Sequence, residues 1–272
     1  ISKRKKSTKE IPSMMFHVKQ GDFMIAVIFL IVNILYDLAV GFISGLVLGE
    51  VQALYYLIIT QATKLIFVAI FVKARSNKYR NKYNEDYIKT ASLKKDSYKL
   101  VIIGMGLAGF GNILISMIMK LFENNAYINN VIDTLNQALS FSNNYEYALM
   151  ILSVVILAPI LEEYLFRGIL FAELKKSPKA KIIITALSFA MYHLNLIQGI
   201  NTLFIGLVLG YIYYCRRNIK DVILVHMVNN LVAVFPVYND ILGVICIVAI
   251  GFAIKFMIDI RKEGLSIDLQ KR

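Results

Sequence analysis

Apolar residues run along this chain in long, nearly unbroken blocks, and charged residues collect between the blocks instead of alternating within them. Eight blocks stand out, at about 22–48, 52–73, 99–122, 146–173, 181–198, 200–215, 221–236 and 239–259. A bilayer-spanning helix needs roughly 20 consecutive apolar residues, and several blocks reach or approach that length. The pattern predicts an all-α fold: a polytopic membrane helical bundle of about eight transmembrane helices. The fifth to seventh blocks are short for full spans. Short helices that bear polar groups persist in a membrane where protein or water, not lipid, satisfies those groups.

Composition supports the membrane class. The chain has 272 residues, of which 58% are hydrophobic, more than one soluble core of that size can enclose while polar atoms cover its surface. The net charge of +12 suggests nucleic acid only until the basic residues are located. The N-terminal tail, the 73–99 loop, the Lys175–Lys181 loop, the Arg216–Lys220 loop and the C-terminal tail hold 26 of the 30. The alternate loops hold none, so the charge reads as topology: termini in the cytosol, anionic lipids as the partner, and no nucleic acid.

This alternation divides the chain. Residues 1–21 form a basic cytosolic tail. Residues 22–145 carry the first three helices, with the basic cytosolic loop 73–99 and an Asn-rich extracytoplasmic loop at 123–145 that has room for a short surface helix. Residues 146–260 form a helical core, and 261–272 a cytosolic tail. The first apolar block follows a cluster of lysines but is too long for a signal-peptide core, and reads as a retained helix. Cys215 and Cys246 fall on different helices, which argues against a disulfide; Cys215, beside Arg216 and Arg217, has a setting that permits S-palmitoylation.

Ionisable residues inside a membrane helix cost several kcal/mol unless paired or hydrated, so each is a functional candidate. The fourth block holds Glu162, Glu163 and Arg167. Glu163 and Arg167, four apart, share a helix face and can pair; Glu162 lies about 100° around the helix and is left without that partner. Pro159, just upstream, removes a backbone hydrogen bond and predicts a kink. His193 follows Phe189 by four residues in the fifth block, and His226 precedes Asn230 by four in the seventh. Counted from the cytosolic ends these groups lie at similar depth, which predicts a shared cavity open toward the cytosol. A carboxylate with two imidazoles is a set that activates water for hydrolysis, with or without zinc. Asn230 can donate its amide to a developing oxyanion. Taken singly, the two glutamates are equally well read as structural pairs, and a lone histidine on an apolar face is usually a satisfied core group.

The three motifs EExxxR, FxxxH and HxxxN, in order on successive helices, resemble the signature of the CPBP family of CAAX proteases and bacteriocin-processing enzymes, also called Abi. The resemblance spans about Ala148 to Phe235. It implies a membrane-embedded peptidase in which Glu162 and His193 hold the attacking water. It also implies that His226 and Asn230 form an oxyanion hole, and that Glu163, Arg167 and Phe189 support the site. The metalloprotease account of the family implies a divalent metal, Zn²⁺, on Glu162, His193 and His226; the alternative account has a glutamate-activated water without metal. The richness in Ile, Lys, Asn and Tyr matches an AT-rich bacterial genome, which points to a bacterial plasma membrane and to membrane-associated peptides or protein tails as substrates, pheromone or bacteriocin precursors among them. Two other readings compete. One is a non-proteolytic membrane scaffold that regulates signalling proteins. The other is a transporter in which Asp37, Lys64 and Lys120 relay ions.

Overall fold

The computed structural model describes residues 23–47, 50–83, 86–138, 143–234 and 240–270, and among these it is helical, with no strand. Among the described residues nine helices follow in order. They are α1 (Phe23–Val47), α2 (Glu50–Tyr83), α3 (Tyr98–Leu121), α4 (Ala126–Ala138), α5 (Asn144–Glu173), α6 (Pro178–Tyr192), α7 (Leu196–Arg216), α8 (Ile219–Val234) and α9 (Asp240–Gln270). Six of them, α1, α2, α3, α5, α7 and α9, are long and apolar enough to cross a membrane. Within their apolar windows only 11% of α1 and of α9 is buried, against 44% of α5 and α7. Lipid must cover the first pair, and the others form the protein core.

Several boundaries differ from the sequence reading. The sixth block is not short: Asn195 caps α7 by accepting from the N–H groups of Ile197 and Gln198, which starts that helix earlier and gives it 21 residues. Consequently α6 ends at Tyr192 and has 15 residues. His193 is its C-terminal cap, and Leu194, at φ 51°, turns the chain through the left-handed region. Helix α2 continues through the first part of the 73–99 stretch to Tyr83, and α9 continues through the expected tail to Gln270. The surface helix anticipated in 123–145 is α4. The tail 1–21 lies outside the described residues.

Small residues set how closely the core helices approach. A Cβ on Gly104 of α3 would stand 2.7 Å from the Val225 carbonyl oxygen of α8, and one on Gly206 of α7 would stand 2.9 Å from the Ala186 Cα of α6. Both contacts require glycine. At the end of the bundle where the basic loops lie, residues 86–97 fold back onto the core. Tyr87 and Ile88 are buried, the Tyr87 hydroxyl donates to Glu173 at 2.8 Å, and Ala91 N donates to Asn218 Oδ1 at 3.0 Å. Arg216 bridges Asp96 at 2.8 Å and Asp221 at 2.5 Å.

Candidate functional site

Helix α5 carries the paired glutamates, and its backbone is irregular on both sides of them. Leu152–Leu157 and Tyr164–Leu170 adopt the wider π pattern, with Ala158–Glu163 between them in α geometry. Pro159 explains the first stretch. It has no N–H to give, so a carbonyl one turn back loses its donor. In the π register Ala158 N pairs with Ser153 O, and the next acceptor, the Val154 carbonyl, would face residue 159. Asn230 of α8 fills that vacancy, donating Nδ2 to Val154 O at 2.9 Å. Where the sequence predicts a kink, α5 thus remains one helix with two widened turns. Such turns recur at functional sites.

The central cluster is buried and closely joined. Arg167 donates to Glu163 Oε1 at 2.8 Å, and both side chains are fully buried. The same guanidinium donates to Gly206 O at 3.1 Å and stands 4.9 Å from the centroid of the Phe189 ring. His226 places Nδ1 2.8 Å from Glu163 Oε1, and Nε2 3.6 Å from Glu162 Oε2. A carboxylate beside Arg167 accepts, so Nδ1 of His226 carries the proton and Nε2 turns to Glu162. Phe189 separates the two histidines: its ring packs edge-to-face on His193 at 4.9 Å and on His226 at 5.7 Å. His193 fixes its own tautomer, since Nδ1 lies 3.0 Å from the Phe189 carbonyl oxygen and must donate to it.

The structure therefore gathers Glu162, Glu163, Arg167, Phe189 and His226 into one contact network. His193 joins it through Phe189, and no hydrogen bond or ion pair links it to Glu162 among the described residues. Asn230 reaches the network through α5, with one amide proton on Val154 and its oxygen accepting from Asn229 at 3.0 Å. Among the described residues no three His, Cys, Asp or Glu side chains gather closely enough to hold a metal ion. Glu162, His193 and His226 as arranged do not fit a zinc centre.

Glu162 differs from its neighbour in being wet. Glu163 is sealed, whereas Glu162 retains 13% exposure and lines a cavity of about 310 Å³ between α1, α2, α5 and α6. The opposite wall is polar and comes from residues outside the three motifs. Lys64, itself buried, donates to Asp37 Oδ2 at 2.6 Å and to the Tyr192 hydroxyl, which in turn donates to Asp37 Oδ2 at 3.0 Å. Lys64 and Asp37 are visible in the sequence as intramembrane charges, but nothing there shows that they face Glu162 or each other; Tyr192 is signalled only by its place before His193. Their mutual pairing accounts for both charges without an ion relay.

Residues 144–232 match the family described as Type II CAAX prenyl endopeptidase Rce1-like, a segment that contains Glu162, Glu163, Arg167, Phe189, His193, His226 and Asn230. No curated protein and no solved structure matches the chain.

Proposed function

Because residues 144–232 match the Type II CAAX prenyl endopeptidase Rce1-like family, we propose that the chain is an intramembrane endopeptidase whose attacking water is activated by Glu162. The observation that carries the proposal is the asymmetry of the two glutamates: Glu163 is dry and committed to Arg167 and His226, while Glu162 faces the cavity with His226 Nε2 3.6 Å away. A general base needs water within hydrogen-bond reach and a free lone pair, and of the two glutamates Glu162 has both.

In the proposed reaction a water in the cavity hydrogen-bonds to Glu162 and lies beside His226 Nε2. Glu162 takes one proton, and the hydroxide oxygen attacks the carbonyl carbon of the scissile peptide bond. The second amide proton of Asn230 stabilises the developing oxyanion, while His226, held by Glu163 through its Nδ1–H, accepts at Nε2 from the newly protonated Glu162. Glu162 then returns its proton to the departing amine as the C–N bond breaks, leaving a carboxylic acid and an amine. His193, whose Nε2 is an acceptor, positions the water's other hydrogen. The substrates are membrane-associated peptides or protein tails, with pheromone and bacteriocin precursors the kinds that the CPBP resemblance favours.

Purified protein, in detergent or proteoliposomes, incubated with membrane peptides from cells that lack it tests the proposal by mass spectrometry. Glu162→Gln, His193→Ala and His226→Ala should each lower cleavage by at least about 10²-fold, the usual contribution of a general base, and a chelator should leave wild-type cleavage intact. Retention of cleavage by Glu162→Gln refutes the role of Glu162.

A further inference from the structure

The cavity that exposes Glu162 is not centred in the bundle. At 1.5 Å per helical residue, Lys64 lies about 14 Å from the start of the basic segment at Lys73. By the same measure Glu162 lies about 16 Å from Glu173, Tyr192 about 21 Å from Pro178, and Asp37 and Gly41 about 21 and 27 Å from Phe23. All five line the cavity, and all four reference points are at the basic end. Against a hydrocarbon core about 30 Å thick, Glu162 and Lys64 lie near its middle and the rest of this lining in the half far from the basic loops.

Among the described residues the near side carries a covering segment. Residues 86–97 cover that approach, with Ile88 buried so tightly against Gly168 that a Cβ there would lie 2.7 Å from its Cδ1. A second cavity of about 300 Å³ does open at this end, among Arg80, Asp86, Tyr87, Thr90 and Tyr164, but it shares no lining residue with the first and stops short of Glu162. Asp37 supplies an independent reason for water on the far side. Its carboxylate is 39% exposed and only Oδ2 is engaged. A charged oxygen at that depth must be hydrated, because lipid cannot satisfy it.

We infer that substrate and water reach Glu162 from the face opposite the basic loops, between α1 and α2 on one side and α5 and α6 on the other. By the positive-inside rule this face is extracytoplasmic, the reverse of the cytosolic opening expected from residue counting. The substrate class is then a peptide or protein tail presented outside the cell or in the outer leaflet. The word substrate rests on the peptidase reading; the route of access rests on geometry alone.

Cysteine accessibility tests it. A chain with Cys215→Ser and Cys246→Ser would carry Gly41→Cys in the cavity, or Ser92→Cys in the exposed part of the basic-end loop as control. A Cβ at Gly41 meets nothing within 4 Å, so the probe fits without disturbing the fold; Thr60→Cys, on the same cavity, is the second probe. With a membrane-impermeant maleimide, intact cells should label Gly41→Cys and Thr60→Cys at least tenfold faster than Ser92→Cys, and inverted vesicles should reverse the order. Faster labelling of the cavity positions in inverted vesicles overturns the inference, as does labelling from neither face until detergent is added. The readout needs no catalysis. Loss of cleavage activity in every assay would defeat the peptidase reading and leave this result standing, while cytosolic labelling with intact cleavage would do the opposite.

Discussion

The amide nitrogen of Asn230 lies 2.9 Å from the carbonyl oxygen of Val154, the acceptor that the π register of α5 leaves facing Pro159. A residue proposed to assist catalysis is thus also the replacement for a backbone donor that proline removed. The two jobs are separable because an amide has two protons.

This relationship predicts a coupling. Asn230→Ala leaves the partly buried Val154 carbonyl without a donor and should cost about 1 kcal/mol, read as a lower unfolding temperature in detergent. Pro159→Ala restores an N–H to α5, so Asn230→Ala should cost distinctly less in that background. A double-mutant cycle with no coupling energy would show that the proline is not what the amide compensates.

The glutamates should part company when each is changed alone. Arg167→Ala strands the buried Glu163, and Glu163→Ala strands Arg167, each fully enclosed; either loss should destabilise by about 3–5 kcal/mol, the cost of an unpartnered buried charge. Glu162→Gln, at the edge of a wet cavity, should leave the unfolding temperature nearly unchanged while abolishing cleavage. Thermal unfolding of all three variants beside their activity checks the division between support and chemistry.

At the basic end, pH should act through Asp96. Its hydrogen bond to Arg216 holds the Asp96 carboxyl below its ordinary value. A carboxylate whose folded pKa is depressed stabilises fully above the unfolded value, near 4, and loses that contribution as pH falls through the lower folded one. Stability should therefore be level from pH 7 to about 5 and decline below 4. Asp96→Asn should lower the neutral plateau by about 1–2 kcal/mol and flatten the acid limb, measured by unfolding from pH 7 to 3.

Gly206 offers a test of helix approach. Its carbonyl receives Arg167, and it has no room for a side chain against Ala186. Gly206→Ala should push α7 off α6 and destabilise by about 1–3 kcal/mol, as overpacking does. Because the Arg167 contact loosens with it, cleavage should fall as well. An Ala variant as stable as wild type would mean that α6 and α7 can slide to accommodate a methyl.

Much of the architecture was legible in the chain. The apolar blocks located the helices because in hydrocarbon a backbone can satisfy its N–H and C=O groups only within itself. Spacing of four was enough to pair Glu163 with Arg167, since that pairing lies within one helix. The helix ends were less legible: Asn195 reads as one polar residue between apolar ones, and only its cap on α7 shows that α6 has already stopped and that His193 sits at a turn.

By itself the sequence determined the membrane-bundle class, the orientation expected from its charges, and the residue types able to activate water, because all three depend on composition or on separations within a single helix. The tertiary structure alone decided which glutamate is sealed and which is wet, that His226 stands beside Glu162, that Asp37, Lys64 and Tyr192 form the facing wall, and on which side of the bundle their cavity lies. Those are relations between helices, set by where glycines permit close approach and where a missing N–H must be replaced, and no linear separation along the chain encodes them.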